Sequence, residues 1–172
     1  MDSAQTPIWA LTAAYWLHML STVVWIGGLT ALVLLVIPAA RRTLADEAYL
    51  ALLDSLQRRL DPLGWFSLLL LVGTGMFQMS ASPNYHGFLA FDNLWAVAIL
   101  IKHVIFFLMI AISAYFTWGL LPALRRLALR LSQGKGSAEE QARLQRRNTW
   151  LLRLNLALSV VVLALTALAR SA

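Results

Sequence analysis

The chain contains no cysteine, which excludes disulfides, iron–sulfur clusters and thiolate metal sites. Any metal must then be held by His, Met, carboxylate or backbone oxygen. Charge is scarce as well: charged residues make up 13% of the 172 positions and hydrophobic residues 60%, far from an ordinary soluble domain. No pair of carboxylates falls inside the most apolar stretches, and no Ser/His/Asp or Cys/His arrangement is available, so the usual hydrolytic and nucleophilic devices are missing. Gly134 and Gly136 do not form a phosphate loop, because no strand precedes them and their spacing is wrong. A binding or transport role is expected ahead of an enzymatic one.

Four apolar stretches are long enough to cross a bilayer, near residues 9–37, 63–82, 93–121 and 149–169. The first is too long for a cleaved signal peptide, and Asp2 is the only charge before it. The fold class expected is all-α: a polytopic bundle of four transmembrane helices forming a single integral membrane domain over 1–172. Segments 38–62 and 122–148 are its connecting loops at one face.

The formal charge of +6 is distributed unevenly. Arg41, Arg42, Arg58 and Arg59 flank the first loop, and seven basic residues between Arg125 and Arg147 fill the third. The segment before helix one and the loop 82–93 hold no Lys or Arg. That asymmetry is the positive-inside pattern of a membrane protein, with both termini outside and both basic loops in the cytoplasm. It speaks against nucleic acid as the partner of this charge. Segment 43–60 has apolar positions between charges and is expected to be an amphipathic interfacial helix. The 127–147 loop reads as a solvated connector over anionic lipid.

Helix one ends in Pro38-Ala39-Ala40-Arg41-Arg42 and helix three in Pro122-Ala123-Leu124-Arg125-Arg126. Proline at these points is expected to stop or kink each helix. The shared ending suggests two parallel helix-hairpin repeats, 1–2 and 3–4, an arrangement whose sites often lie at the midplane. His18 lies 20 residues before Pro38 and His103 lies 19 before Pro122. Both are then about 15 Å below the outer face of a ~30 Å core. An ionisable ring at that depth is costly and usually marks a site. The two are expected to meet across a contact between helices one and three, close enough to share a metal ion or flank a haem iron.

Tyr15, His18, Ser21 or Thr22, and Trp25 make one polar and aromatic stripe along helix one. Gly27 and Gly28 follow it, suited to close helix approach or to cofactor space. Lys102, adjacent to His103, has no Asp or Glu in the helices to pair with. An anionic ligand such as a porphyrin propionate answers that need; a neutral or water-solvated lysine is the plainer alternative. Met76 and Met79 offer soft thioethers suited to Cu(I) on an entry route from outside, although methionine is also an ordinary core filler. His86 in the outer loop is a further candidate metal ligand. Trp9, Trp65, Trp118 and Trp150 read as interfacial belt anchors, whereas Trp25 lies too deep for that role.

Trp16-Leu17-His18-Met19-Leu20 followed by Val24-Trp25-Ile26-Gly27-Gly28-Leu29 resembles the copper-resistance D (CopD) family of inner-membrane proteins. Ile37-Pro38, Gly73-Thr74-Gly75 and Leu100-Ile101-Lys102 are similar to it too, so the resemblance covers most of residues 12–125. It implies copper handling, as Cu(I) or Cu(II), with His18, His103, Met76, Met79 and His86 as candidate metal ligands and Trp25 and Lys102 beside them. His18, Lys102 and Trp95 are also similar to residues of the HemJ-type protoporphyrinogen oxidases. That second likeness implies haem b as an alternative cofactor, with electron transfer or oxidase activity. A third reading is a structural small subunit, in a homodimer or a larger membrane complex, whose polar residues only pack.

Overall fold

Of the two outcomes expected at Pro38 and Pro122, a stop or a kink, neither proline stops its helix: both lie inside continuous helices. The structure, a computed structural model, describes residues 7–171 apart from 86, 88–90, 92, 134 and 136. Its helices are α1 (Ile8–Thr43), α2 (Asp46–Ser80), α3 (Leu94–Arg130) and α4 (Ala138–Ser171). In α1 the turn Ala31–Val36 is π-helical, and in α3 the turn Phe116–Leu120 is. Each of these turns closes two residues before a proline, Pro38 or Pro122. A proline ring collides with the carbonyl four residues back in a regular helix. Ile37 and Leu121 instead donate to the carbonyls of Leu32 and Phe116, five residues back. The wider turn makes room for the ring, and the helix runs on into its Arg-Arg ending.

All four helices are long and apolar enough to cross a membrane, and no strand occurs among the described residues. The protein is therefore a multi-pass membrane protein in contact with lipid. At 1.5 Å per residue α1 and α2 are each about 50 Å long, well beyond a ~30 Å hydrocarbon core. Their excess length lies at the end carrying the basic residues, called here the basic end. The segments 38–62 and 122–148, expected to be loops, are almost entirely helical extensions of the spans. The connections are reduced to Leu44-Ala45 and the short stretch between α3 and Ala138.

Residues 46–60 correspondingly do not form a separate interfacial helix. They continue through Pro62 into the membrane span of α2. The reason is packing. Tyr49 and Leu53 are buried in a cluster with Leu32, Val33, Ile37, Ala40, Leu120 and Leu151, and Leu56 and Leu60 pack against it. The apolar face that was expected to rest on lipid rests on α1, α3 and α4. Here at the basic end, where water competes, burying a leucine is worth about 1.5–3 kcal/mol. Within the hydrocarbon core the same contact gains only from close packing.

The main packing is pairwise, α1 along α2 and α3 along α4, as two hairpins. The hairpins meet chiefly through α4 against α1, including the π-helical turn Ala31–Val36, and direct α1–α3 contact is slight. Arg41 ties them at the basic end: its Nε donates to the Tyr49 hydroxyl at 3.2 Å and its Nη2 to Thr149 Oγ1 at 2.9 Å. Asp54 takes Arg58 from its own helix and Arg125 from α3. At the opposite end Asn93 caps α3, its side chain accepting from the Ala96 N–H at 2.7 Å.

Candidate functional site

His18 stands on the face of α1 that meets α2. Its Nδ1 lies 2.9 Å from Thr74 Oγ1. The Thr74 hydroxyl spends its own proton on the Leu70 carbonyl of the preceding turn, so at the imidazole it can only accept. His18 therefore carries its proton on Nδ1, and the lone pair sits on Nε2. Gly75 makes the approach possible: a Cβ there would come within 3.4 Å of the ring's Cε1, tighter than ordinary contact. One turn further on, Gln78 Nε2 donates to the Ala14 carbonyl at 3.1 Å. Polar α2 residues thus lock the register of α1 around the ring. Thr22 bonds back to the His18 carbonyl at 2.8 Å, and Ser21 is buried.

His103 has the same tautomer for a different reason. Its Nδ1 lies 2.7 Å from the Ile99 carbonyl in its own helix. A carbonyl can only accept, so Nδ1 is the protonated nitrogen here as well. Both rings are half-buried. Trp25 meets Phe106 of α3 edge-on with centroids 5.9 Å apart, the side-chain bridge between α1 and α3 on this level. Lys102 is half-buried and has no ion-pair partner among the described residues.

Other expected site residues are not brought together. Met79 is buried, but Met76 is 53% exposed on the outside of the bundle. The α2 residues that face α1 are Thr74, Gly75 and Gln78. His86 lies outside the described residues. Among the described residues no three His, Asp or Glu side chains gather as a metal cluster. Gly27 and Gly28 do not serve close helix approach, since a Cβ at Gly27 meets nothing within 4 Å and one at Gly28 meets only Leu60 at 3.8 Å. Trp65, expected as a belt anchor, stacks on Trp118 at 5.0 Å and reaches Thr117 Oγ1 through its indole N–H. Trp9, Trp118 and Trp150 are exposed.

A second polar feature was not anticipated. A cavity of about 110 Å³ opens between the four helices on the basic side of Trp25. Gln57, Asp61, Ser113, Thr117 and Asn155 contribute its polar lining. The signal was present as polar residues inside apolar stretches, Ser113 on one helix and Asn155 and Ser159 on the next.

Residues 54–169 match the family model described as copper resistance protein D. The chain belongs to the copper resistance protein D family. The match takes in most of α2 and all of α3, and nearly all of α4. It begins after the His18–Gly28 segment, so it rests on residues other than the helix-one string that carried the resemblance. No curated protein and no solved structure matches this CopD-family chain.

Proposed function

We propose that this CopD-family membrane protein binds copper ions within the bilayer as cargo, with His18 as its principal ligand. The observation that carries the reading is the fixed tautomer of His18. A ring whose Nδ1–H is held by an accepting hydroxyl presents Nε2 as a ligand, and such an outer partner both orients the ring and raises its basicity. Imidazole is a suitable donor for copper. His103, of the same tautomer on α3, is the second proposed nitrogen ligand. Met79, buried on the α2 side, is the thioether candidate, with Met76 and the loop residue His86 as outer stations toward it. Trp25 closes the basic side of the site.

Copper handling in a bacterial inner membrane, for uptake or tolerance, fits the family and the ligand chemistry. The basic end faces the cytoplasm in this reading, in a single membrane domain over 1–172. Lys102 sets a condition on it: beside bound Cu(I) a charged ammonium is repelled, so the lysine is neutral or turned away when the site is loaded.

Lys102 is also the observation that favours a second reading. A half-buried lysine without a carboxylate suits an anionic cofactor, haem b, with the histidines on iron and Lys102 on a propionate. The visible spectrum of the purified protein separates the two. A colourless protein that takes up copper supports the proposal, and a Soret band with a sharp reduced α-band replaces it by the haem reading. A protein that takes up neither is the structural small subunit.

A further inference from the structure

We propose that the cavity between the four helices is a binding site for a monovalent hard cation, Na⁺ or K⁺, separate from the His18 site. Its polar lining comes from three helices: Gln57 and Asp61 on α2, Ser113 and Thr117 on α3, and Asn155 on α4. Asn155 is 6% exposed. Its Nδ2 donates to Ser113 Oγ at 3.1 Å, while its Oδ1 is buried and meets no donor. A buried acceptor left unmatched is costly and calls for an explanation. A cation in the cavity supplies one.

Asp61 lines the same space, half-buried, with no hydrogen bond or ion pair among the described residues. Arg125, the nearby cation on α3, is bonded to Asp54, and its charge also acts on Asp61 without an ion pair between them. The two hydroxyls face the cavity with lone pairs to give: Ser113 Oγ accepts from Asn155, and Thr117 Oγ1 accepts from the Trp65 indole at 3.4 Å. The lining holds no His, Met, Lys or Arg. Every polar donor available to a metal is an oxygen atom, the chemistry of hard cations and not of Cu(I).

Charge selects the valence. With Arg125 already acting on it, the one carboxylate can offset at most one added positive charge, whereas a divalent ion leaves an uncompensated charge inside the bundle, which is strongly unfavourable. Space is adequate, since a single water needs only about 10–15 Å³ by the same measure. An ion with several waters therefore fits in about 110 Å³.

The test is thermal unfolding of the purified full-length protein in NaCl, KCl and choline chloride at equal ionic strength. Na⁺ or K⁺ is expected to raise Tm in a saturable way over choline, by about 3–6 °C at ten times the half-saturating concentration. Asp61→Asn, which keeps the shape of the side chain, is expected to abolish the rise, as is Asn155→Leu. His18→Ala is expected to keep it, which separates this site from the copper proposal. Should Asn155→Leu fail to fold, equilibrium dialysis of ²²Na⁺ or ⁸⁶Rb⁺ (standing in for K⁺) against wild type and Asp61→Asn supplies the same comparison. Equal Tm in the three salts, as a cavity holding only water gives, overturns the proposal. So does a rise that survives in Asp61→Asn.

Discussion

Replacing Thr74 by Val removes one oxygen and little volume, and it strikes the hydrogen bond on which the orientation of His18 depends. In the wild type the Thr74 hydroxyl donates to Leu70 and accepts from His18 Nδ1 at 2.9 Å. With valine the Nδ1–H loses its acceptor at a half-buried position, which costs on the order of 1–3 kcal/mol. The ring also loses the partner that keeps Nε2 in place and basic. Loss of such an outer partner typically weakens metal affinity about 10–100-fold, equivalent to about 1.4–2.7 kcal/mol. Thr74→Ser keeps the hydroxyl and is expected to bind close to wild type. The assay is a competition titration of Cu(I) against a chromophoric chelator, with wild type, Thr74→Val and Thr74→Ser in the same detergent. Wild-type affinity in Thr74→Val would refute the reasoning, because the Thr74–His18 bond then has no bearing on the ligand.

Three further outcomes are expected. Lys102→Met leaves Cu(I) affinity unchanged or slightly tighter in the same titration, whereas weaker copper retention would mean that Lys102 holds something anionic at the site. Single cysteines at Ser82 and Gln133 report orientation: a membrane-impermeant thiol reagent applied outside is expected to label Ser82→Cys and not Gln133→Cys, and the reverse pattern inverts the topology. Ser82 is preferable to Gly87, whose φ of 133° would be strained by any side chain. Arg41→Met is expected to lower Tm more than Asp54→Asn. Arg41 is itself exposed, but its two bonds join α1 to the buried Tyr49 of α2 and Thr149 of α4, each worth about 0.5–1.5 kcal/mol, while Asp54 and its two arginines are partly exposed and such pairs are worth about 0–1 kcal/mol.

Hydropathy alone placed four spanning helices, because lipid admits few alternatives to a fully hydrogen-bonded helix. Their ends were not legible. Charged residues between 38 and 62 read as loop, yet Tyr49, Leu53, Leu56 and Leu60 carry a helical apolar face that only tertiary packing explains. Pro38 and Pro122 read as stops or kinks without a choice between them, because the π-helical turn that accommodates each ring has no composition signal of its own. The shared Pro-Ala-x-Arg-Arg endings did correspond to matching local structure, since both carry that turn. His18 was visible from its depth in an apolar run, but its partner Thr74 was not, since a threonine in a span commonly bonds to its own helix. The pairing of helices one and three that was expected to join the histidines is slight, and α4 fills that place. The cavity polar groups were overlooked because Asp61 sat in a supposed loop.

Copper K-edge X-ray absorption on the copper-loaded protein tests the central claim most directly. Wild type is expected to show imidazole scattering in the copper environment, and His18→Ala, folded and otherwise intact, to lose copper or to lose one imidazole from its spectrum. An identical spectrum at full occupancy in His18→Ala would contradict the assignment of His18 as the ligand.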